Sequence, residues 1–187
     1  MIKTVFGGSF SFWLERLRGI MVLDYIKENT MKIYFASPLF TEMEVTFNQV
    51  LVEKIRQTYP DVEVFLPQEQ GDINDKNAYA DSKMIAQLDT QAVLDSDLLI
   101  AVLDGQVIDP GVASEIGVAY QAGIPILGLY SDSRQLGADN QDKLNALKTV
   151  AESQFGYVNL YTVGLIKLNG KIVSSSQDLL QAIAEFL

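Results

Sequence analysis

The run LLIAVL at residues 98–103 is apolar at every position, and that property narrows the fold more than any other. A strand with one wet face alternates apolar and polar side chains. A strand without alternation suits burial on both faces, as an interior strand of a parallel sheet covered by helices on either side. A second such run, IPILGLY at 124–130, follows a helical stretch at 110–122 that stops at Gly123.

The same rhythm extends in both directions. KIYFAS (32–37) reads as a first strand. TEMEVTFNQVLVEKIRQTY (41–59) reads as a helix whose Val45, Asn48, Val52, Ile55 and Tyr59 form a mostly apolar stripe, and VEVFLP (62–67) reads as a second strand. DSKMIAQLDTQAVLD (81–95) predicts a helix before LLIAVL. A helix near 140–153, a small strand region within 157–173 and a closing helix, SQDLLQAIAEFL, complete the pattern. Strands alternating with helices of this length predict a single-domain α/β fold of the Rossmann or flavodoxin type, doubly wound, its sheet mostly parallel with helices on both faces. In such folds the ligand crevice lies beyond the carboxyl ends of the strands, so the loops after residues 37, 67, 103 and 130 form the rim to search.

Residues 1–30 do not continue this rhythm. They read either as an amphipathic helix around Trp13, Leu17, Ile20 and Met21, packing on the body or on another subunit, or as sequence upstream of a native start at Met31. The domain is therefore expected over 31–187.

Composition removes several function classes. A formal charge of -10 and a pI near 4.4 would repel a nucleic-acid backbone or an anionic membrane surface. No stretch reaches the 18 or so apolar residues of a membrane span, and no secretion signal is read. The chain has no cysteine and no histidine. Disulfides, thiolate nucleophiles and His-containing zinc sites are excluded, and proton transfer near neutral pH falls to carboxylates, tyrosine, lysine or water. A cytoplasmic location suits such a chain.

DPGVASEIGVAYQAG (109–123) then poses the chemical question. Asp109 and Pro110 are a helix start, with the aspartate either only an N-cap or also a ligand. Glu115 has Gly111, Val112, Val118 and Ala119 at helical contact spacing, so no cation stands at ion-pair distance. Glycines 111 and 117, with alanines 113 and 119, leave room beside the helix for a packed strand or a ligand. A carboxylate projecting there is desolvated, with a shifted pKa, unless it snorkels to water at the helix edge. Asp89 repeats the oddity one helix earlier, among Ile85, Ala86, Ala92 and Val93, as a catalytic acid or a satisfied structural carboxylate. Tyr34, mid-strand, reads as core, or as a hydroxyl that orients a carboxylate if it faces the crevice.

Together KIYFASPLF, LDTQAVLDSDLLIAVLDG, DPGVASEIGVAYQAG and YVNLY with its closing helix resemble the nucleoside 2-deoxyribosyltransferase family, over most of 31–187. The DxGxxxExGxA pattern behind an Asp-bearing helix and a buried strand carries the resemblance. It implies Glu115 as nucleophile, Tyr34 as the tyrosine that holds it, Asp109 as ligand of the deoxyribose hydroxyls and Asp89 as the aspartate tied to protonation of the base. It implies that Asn159 reaches the sugar in a neighbouring subunit's site, which makes a homo-oligomer necessary for activity. Phe40 and Gln70 are placed near the base, and Gly111 among the substrate-binding positions. The implied partners are 2'-deoxynucleosides and nucleobases, with no metal and no cofactor. Relatives that hydrolyse deoxynucleoside monophosphates carry a Gly/Ser/Arg-rich phosphate turn after the first strand. Here that turn is ASPLFTEME, with two glutamates and no arginine, which favours the free nucleoside.

Three other readings compete. A hydrolase would resolve the same intermediate with water. A receiver-like module, suggested by Asp104 and Ser131, needs an acidic pair where this chain has Ser37 and Pro38. Dinucleotide binding needs a GxGxxG turn that is missing here.

Overall fold

Five parallel strands in the order β2-β1-β3-β4-β5 form the sheet: β1 (Lys32–Ala36), β2 (Glu63–Phe65), β3 (Leu98–Val102), β4 (Ile126–Leu129) and β5 (Gly170–Val173). This is the flavodoxin-like strand order, and the expected single-domain, doubly wound α/β fold is the one the chain adopts. The structure is a computed structural model that describes residues 30–71, 81–153 and 155–187. The amphipathic helix expected within residues 1–30, and the 72–80 part of the loop after the second strand, lie outside the described residues.

Among the described residues six α-helices accompany the strands: α1 (Glu42–Thr58), α2 (Ser82–Leu94), α3 (Pro110–Ala122), α4 (Gln141–Ala146), α5 (Leu160–Leu168) and α6 (Ser176–Ile183). Strand alternation sorts them into two layers. Ile33 and Phe35 of β1 pack with Leu51, Val52 and Ile55 of α1 and Leu179 and Ile183 of α6. Tyr34 and Ala36 face the opposite way, against Val93 of α2, Val112, Ile116 and Ala119 of α3, and Ile166 of α5. All five residues of β3 are buried, as its unbroken apolar run requires.

Because α1 leaves β1 on one face while α3 leaves β3 on the other, the chain opens a crevice at the carboxyl ends of these neighbouring strands. Both helix starts at that crevice are firmly made. Thr41 and Glu44 form a reciprocal capping box on α1. Asp109 caps α3, Pro110 occupies its first turn, and Gly123 closes it in the left-handed conformation at φ 75°.

Two expected elements differ. The helix expected over 140–153 stops after six residues at Ala146. Beyond it Leu147 and Val150 are exposed, so no apolar face is buried, and β-branched Thr149 and Val150 disfavour continuation. The strand region expected within 157–173 is helical over 160–168, and only Gly170–Val173 is strand. Asn159 caps that helix with its side chain, while the Tyr, Thr, Val and Ile content of the run hides a helical segment behind strand-like composition. Among the described residues no helix is long and apolar enough to cross a membrane.

Candidate active site

The crevice gathers three of the four acidic and phenolic side chains singled out in the sequence around the fourth. Glu115 projects from the second turn of α3 and accepts a hydrogen bond of 2.7 Å from the hydroxyl of Tyr34. The tyrosine is fully buried on the α3 side of β1, and its ring stacks on Phe65 of β2 at 5.3 Å between centroids and 17° between planes. Parallel register sets that stack, because Tyr34 lies opposite Phe65 across β1 and β2.

Electrostatics follow from the placement. Burial pushes the Glu115 carboxyl up to about 7; the Tyr34 hydrogen bond opposes this, and the charges of Asp89 and Asp109 add to it. Burial, then the Glu115 charge, raises the Tyr34 phenol, which therefore stays protonated and remains a donor. Burial also raises Asp89, half-buried on α2 where that helix packs along α3. Glu115 is half-buried and turns one of its oxygens to a buried phenol.

Asp109 makes its cap with one oxygen only. Its Oδ1 accepts from the Gly111 N–H at 2.8 Å and the Val112 N–H at 3.1 Å, and no hydrogen bond falls on Oδ2 among the described residues. Capping therefore leaves one oxygen for another hydroxyl. Gly111 serves the cap: a Cβ there would meet Asp109 Oδ1 at 2.9 Å, whereas one at Gly117 meets nothing within 4 Å. The open space expected beside the helix is thus at Gly117.

The remaining expected residues are placed less centrally. Asn159 caps α5, its Oδ1 accepting from the Tyr161 and Thr162 N–H groups at 3.0 and 3.1 Å, and no hydrogen bond is made by its Nδ2 among the described residues. Phe40 is 78% exposed just before α1, its N–H donating to Glu44 Oε2 at 3.0 Å. Gln70 borders a cavity of about 500 Å³ lined also by Lys32, Phe65, Leu88, Ala92 and Ser96, and by none of Tyr34, Asp89, Asp109 or Glu115. Asp104 and Ser131 bind each other: the carboxylate accepts from the Ser131 N–H at 2.7 Å and its hydroxyl at 2.6 Å, tying the loops after β3 and β4. Among the described residues no group of three or more acidic side chains is placed to hold a metal ion.

Two supporting features escape the sequence reading. Phe65 needed the strand register to be paired with Tyr34. Asn48 stands in the apolar stripe of α1, and its amide donates to the Pro38 carbonyl at 2.9 Å and to Gln68 Oε1 at 3.0 Å, while Gln68 donates back to the Val45 carbonyl. These bonds fasten the loops after β1 and β2 to one helix. A polar residue on an otherwise apolar face is the signal that marked it.

The chain is 62% identical to a conserved protein from Enterococcus faecalis V583 of known crystal structure, over 84% of this chain and 99% of that one, with a TM-score of 0.80. It shares its fold with a 2-deoxyribosyltransferase from Bacillus psychrosaccharolyticus, at 19% identity, 83% and 95% coverage and a TM-score of 0.56. It also shares the fold of a 2-deoxyribosyltransferase from Leishmania mexicana, at 19% identity, 83% and 96% coverage and a TM-score of 0.54. No functionally curated protein matches the chain. The sequence pattern of the nucleoside 2-deoxyribosyltransferases matches residues 33–157, and the chain belongs to that family.

Proposed function

We propose that the protein transfers a 2-deoxyribosyl group between nucleobases by double displacement through an ester on Glu115. The observation that carries this reading is the 2.7 Å hydrogen bond from the buried Tyr34 hydroxyl to Glu115. It aims one carboxylate oxygen and leaves the other to react, in a setting where desolvation makes the anion a better nucleophile.

In the first half-reaction the free Glu115 oxygen attacks C1' of a 2'-deoxynucleoside. The glycosidic C–N bond breaks, its electron pair leaves with the base, and Asp89, held protonated more readily by burial, supplies a proton directly or through water. In the second, the incoming base attacks C1', Asp89 recovers a proton, and the ester bond returns its electrons to Glu115. Two inversions leave the configuration retained. Asp109 Oδ2 accepts from a sugar hydroxyl, Gln70 and Phe40 border the base, and the Nδ2 of Asn159 serves the site of a second protomer.

A free nucleoside fits the mouth of the crevice better than a nucleotide. Glu44, beside the turn that follows β1, is held below the ordinary carboxylate range by the Thr41 and Phe40 N–H groups and so keeps its negative charge.

The test is a chromatographic assay of 2'-deoxyinosine with adenine, with and without adenine, on the wild type and Glu115→Ala. Deoxyadenosine formed by the wild type and not by the variant is the expected result. Hypoxanthine released equally with and without adenine, and no deoxyadenosine, would replace transfer with hydrolysis.

A further inference from the structure

We infer that Ser37 is a hydrogen-bonding partner of the bound nucleoside, resting on the base-exchange reading above for the identity of the ligand. Ser37 directly follows β1, at the carboxyl end where β1 and β3 part company. It is 7% exposed, and its hydroxyl has no hydrogen-bond partner. The other buried polar side chains among the described residues are all satisfied. Asn48 binds Pro38 and Gln68, the Ser96 hydroxyl donates to the Ala92 carbonyl, and the Thr162 hydroxyl donates to Asn159.

A buried hydroxyl without a partner costs free energy, and alanine would fill nearly the same volume without that cost. Local structure offers no reason for serine. The turn that Ser37 enters is held by Asn48 through the carbonyl of Pro38, not through the serine. The hydroxyl is therefore left unsatisfied within the chain at the carboxyl end of β1, where a polar group of a ligand would satisfy it.

Position limits what it meets. Three residues of extended chain separate the Cα atoms of Ser37 and Tyr34 by roughly 10 Å, and the serine hydroxyl bonds to neither member of the Tyr34–Glu115 pair. It binds a polar group away from the reacting carbon, and its contribution falls on affinity, not on the chemical step.

The experiment titrates 2'-deoxyinosine calorimetrically into Glu115→Ala, where no ester forms, and into the same background carrying Ser37→Ala. Melting temperatures without ligand are measured for Ser37→Ala and wild type, and donors lacking the 5'- or the 3'-hydroxyl are compared. The expected result is affinity weakened about tenfold by Ser37→Ala, a melting temperature unchanged or raised, and one of these donors, or the base, to which the serine no longer matters. Equal affinity with and without the serine hydroxyl overturns the inference, and so does a loss of affinity accompanied by a lower melting temperature, which marks a structural role. Failure to bind the nucleoside at all overturns it too. Binding without base exchange in the wild type overturns the proposed function and leaves the serine's contribution measured.

Discussion

Tyr34 and Glu115 are separated by 81 residues in sequence and joined by one 2.7 Å hydrogen bond between strand β1 and helix α3. The phenol pulls the Glu115 pKa down, against burial and two negative charges pushing it up. Under the proposed mechanism, catalysis by an ionised Glu115 depends on this bond. Tyr34→Phe keeps the ring stacked on Phe65 and removes only the hydroxyl. We expect kcat to fall by about 10- to 100-fold and the acid limb of the kcat/KM profile to move to higher pH. An unmoved limb would separate the tyrosine from the ionisation of Glu115.

The same carboxylate makes stability depend on pH. Its pKa in the folded chain, about 7, lies above its ordinary 4.5, so between those values the folded state binds the extra proton. Stability from this group is complete below the lower value and is lost as pH rises through the upper one. Glu115→Gln, neutral at every pH and able to keep the Tyr34 bond, should be more stable than wild type at pH 8, by up to about 3 kcal/mol. The advantage should shrink toward pH 5. Thermal melts at the two pH values check it; a constant difference contradicts the assignment.

Asp109 allows its two oxygens to be tested apart. Asp109→Asn retains an acceptor for the Gly111 and Val112 N–H groups, and Asp109→Ala does not. The alanine variant should lose about 1 kcal/mol of stability and the asparagine variant much less. Both should raise KM for the deoxynucleoside. Because the Asp109 charge raises the pKa of Glu115, Asp109→Asn should also shift the acid limb to lower pH, opposite to Tyr34→Phe. Melting curves and pH profiles on the two variants separate cap from ligand.

Helix α5 presents Leu160 and Tyr161, each 78% exposed, and Leu168, 72% exposed, directly after the capping Asn159. So much apolar surface on one short helix suits an interface with a second copy. Wild type should sediment as a dimer or larger, and Tyr161→Glu with Leu168→Glu as a monomer of unchanged fold with little activity. A fully active monomeric wild type contradicts the shared-site reading.

Much of this molecule was legible before any coordinates. The apolar runs at 98–103 and 124–130 require burial on both faces, which only a helix-covered parallel sheet supplies, and the glycine stop at Gly123 and the Asp109-Pro110 start are local signals read from adjacent residues. Glu115 and Asp89 stood out because a charge among apolar neighbours at helical spacing is costly wherever the helix lies. The 160–168 helix was hidden because strand-like composition and helix capping compete within one short run, and packing decided between them. The carbon frame of β1 states only that Tyr34 and Ser37 point somewhere off a strand. Which ring stacks on the phenol depends on strand register, and the Tyr34–Glu115 pairing, implied beforehand only by the family resemblance, is made by a contact across 81 residues. Those are properties of chain crossing, and local sequence carries no record of them. Tertiary structure alone turned a set of misplaced charges into one aimed carboxylate.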